Sequence, residues 1–478
     1  MTIVSRPSRV VSLLGGSIKP PVNPCTHRAP QRVTPWTGET GTAGRAVVVG
    51  AGKMGLPLAA QFARHGWAVT AVDVNPAVVE AINAGRSHVT EEPGLAEAVT
   101  EAHAAGLLRA TTDAAAAARE ADVVVLIVPV MLDDAHQPDY RYMDAAVDSV
   151  GPGIHAGLTV IFETTLPVGD TRHRFAPKME RASRLAADRD FFVAFSPERL
   201  FSGAVFDNLA TYPKLVGGIG PESGRRAAAF YDSVLDAEIV AMSSAEAAEF
   251  SKLADTTYRD VNIALANDFA RYADRVGVDV QEVIDAANSQ PYSHIHQPGI
   301  GVGGHCIPVY PHLILSRAPD LEVIAAARRT NDEQVGLVIK ALEAALGGLD
   351  DVPVLVLGMT YRENVKELAY SRALPLIDRL AFHGADVFAY DPLLADGEIE
   401  RCCAAPYHWG EAGPFRAIVT QTGDRLWTEL DFSLFPELQV VVDGRNSLRT
   451  VELPDGVGYM GIGVQAATRR RAPATGSR

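Results

Sequence analysis

The sequence predicts an α/β chain of two doubly wound domains joined by a long central helix region. Three observations carry this. From Arg45 onward, short apolar runs bounded by turn residues alternate with amphipathic segments, the pattern of parallel strands buried on both faces. Residues Ser243–Asn288 then read as helix, with no proline and one glycine, Gly277. After Asp351 the strand–helix alternation resumes. Two α/β domains bridged by helix leave a cleft between them, where ligands commonly sit.

The first unit is Arg45–Pro76: the apolar run AVVV, a glycine turn, a helical pattern, and a second strand in AVTAVDV. ADVVVLIVPV (Ala121–Val130), LTVIFETTLP (Leu158–Pro167) and FFVAFSPERL (Phe191–Leu200) are further buried strands. Ser244, followed by acidic residues, suits a helix start. A first helix of ~30 residues would reach about 45 Å, a length that joins domains or packs on a partner subunit. VPVLVLGMTY, the SRALPLIDRLAFHGADVFAYDP stretch, FRAIVTQ and LQVVVDGRN supply the second α/β domain. The expected divisions are 45–242, 243–345 and 346–465. They are flanked by a flexible extension (1–44, rich in Pro, Arg and Gly) and a flexible tail (466–478).

Composition narrows the function. At 478 residues, 47% hydrophobic and 21% charged, the chain has the make-up of a globular protein. A net charge of -15 argues against nucleic acid as a partner. No apolar run approaches the ~18 residues needed to span a membrane. The four cysteines are spaced for neither a disulfide framework nor a zinc site, so no metal is expected and a reducing cytoplasm is the simplest setting.

GAGKMG follows the first strand and opens a helix. Gly50 permits a tight turn, Gly52 lets a pyrophosphate approach the backbone, and Gly55 lets helix and strand pack closely. Lys53 and Met54 lie in the same turn and join the candidate cofactor contacts. Asp73 ends the second strand, where an acid accepts from the ribose hydroxyls of NAD and repels the 2′-phosphate of NADP. The domain is therefore expected to be Rossmann-like and to bind NAD.

GIGVGGHCIPVYP (Gly299–Pro311) frames Cys306 with glycines. Glycine backbone lets a bulky ligand approach, and exposed N–H groups can stabilise a thiolate or oxyanion. A thiolate beside NAD fits aldehyde oxidation through thiohemiacetal and thioester.

VVGAGKMGLPLA, FETTLPVGDT, FSPERLFSG, YPKLVGG, AEFSKLADTTYRDVNIALAND, GVGGHCIP, GMTYRENVKE and VDGRN occur in this order. Together they resemble the UDP-glucose/GDP-mannose dehydrogenase family over residues 45–465. SPER, YRDVNIA and GGHCIP are most similar to its branch acting on UDP-N-acetylhexosamines such as UDP-N-acetylmannosamine. The resemblance implies a four-electron, NAD-dependent oxidation at C6 of a nucleotide sugar, in a homodimer built on the central helix. It implies Cys306 as nucleophile, Lys252 stabilising anionic oxygen, Glu198 serving thioester hydrolysis, and Thr165 beside the nicotinamide and the reacting water. Val128 and Pro129 would end a strand beside the cofactor. Arg199, Arg259, Asn262, Gly303, His305, Tyr361, Arg362 and Arg445 would join Glu198 and Lys252 around the sugar nucleotide.

Plainer readings compete residue by residue. Lys252, between Glu249 and Asp255, also suits an exposed helix ion pair. Glu198, after a proline, suits a helix cap. Thr165 suits an ordinary strand position, Arg362 and Arg445 suit a solvated surface, and His305 suits a general base less well because adjacent side chains point apart. The sequence also departs from the family pattern. Tyr310 stands four residues after Cys306 in place of Asp, Thr256 stands four after Lys252 in place of Asn, and KELAYS puts Lys366 for an acid and Ala369 for an arginine, with Arg372 nearby as a substitute. A tyrosine is no carboxylate base at neutral pH. The alternatives are therefore a UDP-glucose or GDP-mannose substrate, an oxidation that stops at the aldehyde, and a nucleotide-sugar-binding regulator.

Overall fold

The computed structural model describes residues 44–201 and 203–465. Gly44 apart, the expected extension and tail lie outside the described residues. The strands of the N-terminal half are β1 (Arg45–Val49), β2 (Ala68–Val72), β3 (Leu108–Thr111) and β4 (Val123–Leu126). A small hairpin of β5 (Met131–Leu132) and β6 (Pro138–Asp139) follows, then β7 (Thr159–Phe162), β8 (Phe192–Phe195), β9 (Lys214–Gly218) and β10 (Ile239–Ala241). All but the hairpin form one sheet of order β10-β9-β8-β7-β4-β1-β2-β3. Pairing is parallel except between β8 and β9, which meet antiparallel through Ala194–Gly218 and Phe195–Gly217. A parallel sheet was the expectation; β9 and β10, parallel to each other, run opposite to the other six strands.

The central strands bury both faces, so alternate residues feed two cores. Val48, with Leu56, Phe62 and Trp67, lies in one. Val47 and Val49, with Met143, Phe162 and Phe175, lie in the other. This is the period-2 geometry of a strand.

The central helix runs Ala245–Val276, 32 residues, about 48 Å at 1.5 Å per residue. The Ser244 hydroxyl caps its start by accepting from Ala247 N, and Gly277 ends it at φ 73°. A second long helix, Glu322–Leu346, packs along it. Between them lies a buried polar network. Arg328 reaches Asp260 at 2.5 Å. The Asn331 amide donates to the Asp260 carboxylate and carbonyl, and Asn267 donates to Asn331. Asn267 Oδ1 then accepts from Gly299 N at 2.9 Å, which ties the glycine loop to both helices.

The C-terminal strands are β11 (Pro353–Leu357), β12 (Asp386–Tyr390), β13 (Ala405–Pro406), β14 (Ala417–Thr420), β15 (Val440–Asp443), β16 (Gly458–Gly461) and β17 (Val464–Gln465). Their order is β13-β12-β11-β14-β15-β16-β17, parallel but for the last pair. Among the described residues no helix is long and apolar enough to cross a membrane, and no group of His, Cys, Asp and Glu is arranged to hold a metal ion.

Candidate active site

The glycine turn after β1 has the geometry its sequence requires. Gly50 sits at φ +98°, donates to the Val72 carbonyl at 2.8 Å, and has Ile127 O only 2.8 Å from where a Cβ would stand. A Cβ on Gly55 would fall 1.7 Å from the Gly50 carbonyl oxygen. Gly52 faces open space. Met54 precedes helix Gly55–Arg64 without a side-chain cap; Leu56 N and Leu58 N donate to the Gly52 and Met54 carbonyls and Pro57 has no N–H, so the helix start offers an anion chiefly the positive end of its dipole. Asp73 Oδ2 accepts from Ala51 N at 3.0 Å and Oδ1 from Asn75 N at 2.9 Å, fixing the acid beside the turn. Open space at Gly52, a helix N-terminus and a strand-end acid fit a dinucleotide. Lys53 is exposed and lies 3.8 Å from Glu91 and 3.9 Å from Glu367 of the C-terminal domain. The Val128 carbonyl accepts from the Thr164 hydroxyl at 2.6 Å, and exposed Pro129 follows it.

Four of the singled-out residues converge where the two domains meet. Lys252 is 7% exposed on the central helix, so the surface ion-pair reading fails. Burial pushes its ammonium below the ordinary range, while the charges of Cys306 and Glu198 push back. Tyr310 is half-buried, its ring centre 5.7 Å from Lys252 Nζ. Its hydroxyl lies within electrostatic reach of Thr165 and Cys306. Burial and the Cys306 charge hold that phenol protonated well past its usual range. Thr165 is 6% exposed. Glu249, one turn before Lys252, accepts from Gly169 N, Thr171 N and the Thr171 hydroxyl, so the central helix grips the loop that carries Thr165.

Glu198 follows β8 and belongs to a buried charged cluster. Lys214 Nζ of β9 lies 3.0 Å from Glu163 and 3.8 Å from Glu198. The Tyr231 hydroxyl donates to Glu163 at 2.5 Å, and Leu200 N donates to Glu198 at 2.5 Å. Burial, with the Glu163 charge adding and Lys214 opposing, pushes Glu198 up to about 7. Arg199 donates instead to the Pro213 carbonyl. Glu163, Lys214 and Tyr231 were not singled out beforehand. The available signal was a charge inside an apolar strand run, Lys214 in β9 and Glu163 just past β7.

The glycine loop is shaped by the C-terminal domain. A Cβ on Gly304 (φ +87°) would meet the Tyr361 ring at 2.9 Å, and one on Gly301 (φ +116°) would meet Arg372 Nε at 2.8 Å. Gly303 packs on Tyr361 and the Tyr370 carbonyl. The loop glycines thus make room for side chains of the second domain, which a ligand-approach argument does not foresee. Arg372 also engages Asp332, at 3.4 Å. His305 is exposed, 3.4 Å from Glu367 and edge-on to Tyr370.

Two buried aspartates position the remaining candidates. Asp391 Oδ2 accepts from Met359 N, Thr360 N and the Thr360 hydroxyl, which sets Tyr361 under the loop. Arg362 Nε donates to the Tyr361 hydroxyl at 2.9 Å. Asp443 accepts from Arg445 N, Ser447 N, Leu448 N and the Tyr459 hydroxyl, and turns Arg445 back toward Gly299. On the central helix, Thr256 is buried one turn beyond Lys252, and Arg259 lies 3.7 Å from Asp255. The Asn262 amide bridges the His294 carbonyl and His296 N, holding the segment that leads into the glycine loop.

Known proteins are similar to this chain over most of its length. Three family models match: the NAD binding domain of the UDP-glucose/GDP-mannose dehydrogenase family over residues 44–235, its central domain over 246–333, and its UDP binding domain over 355–450. UDP-N-acetyl-D-mannosamine dehydrogenase of Pyrococcus horikoshii is 33% identical over 431 residues, covering 88% of this chain and 99% of its own. The enzyme of that name from Escherichia coli strain K12 is 34% identical over 361 residues, covering 72% and 84%. The solved UDP-D-ManNAc dehydrogenase of Pyrococcus horikoshii superposes with a TM-score of 0.77 at 32% identity, over 88% of this chain and 99% of that one. A UDP-glucose dehydrogenase from Pyrobaculum islandicum also reaches 0.77, at 26% identity, over 90% and 99%. With all three of its domains matched in order, the chain belongs to the UDP-glucose/GDP-mannose dehydrogenase family and is an NAD-dependent nucleotide-sugar dehydrogenase.

Proposed function

We propose that the protein oxidises the C6 hydroxyl of a UDP-N-acetylhexosamine, UDP-N-acetylmannosamine above all, through the aldehyde to the uronate. The observation that carries this is the gathering of Cys306, Lys252, Thr165 and Tyr310 at the domain junction. The sugar assignment leans on the names of relatives at 32–34% identity. Fold similarity alone does not select it, because the UDP-glucose dehydrogenase superposes equally well.

NAD, held by Gly50, Gly52, the Gly55 helix terminus and Asp73, supplies the hydride acceptor for each oxidation. Cys306 Sγ adds to the aldehyde carbon to give a thiohemiacetal, and the second oxidation leaves a thioester on the same sulfur. Lys252, desolvated and facing Cys306 and Glu198, stabilises oxygen anions at that carbon. Thr165 and the neutral Tyr310 hydroxyl orient oxygen atoms by hydrogen bonding. Glu198 takes the proton of the water that releases the uronate. Tyr361, Arg362 and Arg445 meet the nucleotide end, where arginine suits a pyrophosphate.

Phe250, Tyr258, Leu265, Phe269, Tyr272 and Val276 all stand exposed on the central helix. An exposed apolar face of this size fits a homodimer contact. The deciding experiment is a panel of sugar nucleotides followed by NADH absorbance, with NADH counted per sugar. Two per UDP-N-acetylmannosamine is the expected result. One per sugar favours release of the aldehyde, the outcome that Tyr310 motivates, and turnover of UDP-glucose or GDP-mannose alone overturns the sugar assignment.

A further inference from the structure

The cluster behind Glu198 has a charge balance that the reaction can use. Glu163 is fully buried and Glu198 is 13% exposed at the side chain, and both face one cation, Lys214, which is 8% exposed. With both carboxylates ionised, one negative charge is left uncompensated in a poorly hydrated place, a costly state that one proton relieves. The proton enters at Glu198. Glu163 is sealed: its Oε1 accepts from Tyr231, a phenol that burial and the Glu163 charge keep protonated, and its Oε2 lies 3.0 Å from Lys214. Glu198 borders a small cavity that Lys214 and Arg199 also line.

We propose that Glu163 is a positioning residue: paired with Glu198 across Lys214, it makes Glu198 the base for the water that cleaves the Cys306 thioester. The proposal rests on the reading that such a thioester forms. In the step, the water oxygen bonds to the thioester carbon and one of its protons passes to the ionised Glu198. The tetrahedral oxyanion then collapses, the C–S bond breaks, and its electron pair returns to Cys306 Sγ as the uronate leaves. Glu198 afterwards yields its proton to solvent. No electrons change hands.

The charged and titratable groups facing Glu198 come from every side. Glu163 follows β7, Lys214 lies on β9, Tyr231 on helix Pro221–Val234, Lys252 on the central helix, and Tyr310 past the glycine loop. Neighbouring Arg199 is drawn away to the Pro213 carbonyl. Tyr310 cannot accept a proton while it is neutral, so the task falls to Glu198. Burial and the Glu163 charge raise the proton affinity of Glu198, and the Lys214 charge opposes them.

The test uses Glu163→Gln and Lys214→Met, two near-isosteric changes that act in opposite directions. Infrared titration of the protonated carboxyl band, assigned with Glu198→Gln, needs no substrate. Glu163→Gln is expected to move the Glu198 midpoint down by about one pH unit, a tenfold change, and Lys214→Met to move it up by a similar amount. The acid limb of thioester hydrolysis, measured in single turnover, should follow in the same directions. An unmoved midpoint, shifts of the same sign, or an acid limb indifferent to both variants overturns the proposal. If the wild type oxidises no sugar nucleotide while the infrared shifts appear with opposite signs, the pairing stands, the functional reading falls, and the base assignment falls with it.

Discussion

Lys252 Nζ lies 5.7 Å from the centre of the Tyr310 ring. The helix cation and the residue four places beyond Cys306 therefore share one small volume, although they are far apart in sequence. A protonated phenol in that position changes what the site can do. It can donate to sulfur or oxygen, but it cannot remove a proton from water.

Lys252→Met should lower kcat by roughly 10²–10³-fold, the usual cost of removing one preorganised charge from a developing oxyanion. NAD affinity, measured by fluorescence quenching, should be unchanged, because Lys252 sits apart from the glycine turn. An equal loss of NAD affinity would assign the lysine a structural role.

Tyr310→Phe removes the hydroxyl that neighbours Cys306 and Thr165. One hydrogen bond is worth about 0.5–1.5 kcal/mol, so alkylation of Cys306 by iodoacetamide at neutral pH should slow by roughly 2- to 12-fold. Cys402 and Cys403, free thiols of the C-terminal domain, serve as internal controls. Unchanged alkylation would remove Tyr310 from the thiol's surroundings.

Asp260→Ala leaves buried Arg328 with Asp332 as its one remaining acid and releases Asn331, and through Asn267 it loosens Gly299. Breaking such a buried pair costs about 3–5 kcal/mol. Thermal unfolding should show a drop of that size. Faster amide exchange in the glycine loop should accompany it, since Asn267 is one of its anchors.

Glu198 carries a pH signature. Its proton affinity rises in the fold from the ordinary value of 4.5 to about 7. Between those limits the folded chain holds a proton that the unfolded chain has lost. The stabilising contribution is therefore full below pH 4.5 and disappears as pH rises through about 7. Relative to Glu198→Gln, the wild type should lose on the order of 2 kcal/mol between pH 5 and 8. Parallel unfolding curves for the two proteins across that range would remove the premise of a buried, proton-sharing Glu198.

The sequence by itself determined the features whose causes are local. Strand runs showed in Val47–Val49 and Val123–Leu126. The central helix showed in its Ser244 start and its proline-free run. The nucleotide turn showed because Gly50 and Gly55 must lack a Cβ to exist where they do. A run, a cap and a steric exclusion all act within a few residues, so they are legible in order along the chain. The reversed pairing of β9, the burial of Lys252, the company His305 keeps with Glu367 and Tyr370, and the sharing of Lys214 by Glu163 and Glu198 were decided only by tertiary structure. Each depends on partners from other segments of the chain, and a side chain's charge, burial and reach follow from those partners. The glycine loop belongs to both classes: its composition announced an unusual backbone, and Tyr361 and Arg372, brought in from the second domain, supplied the reason.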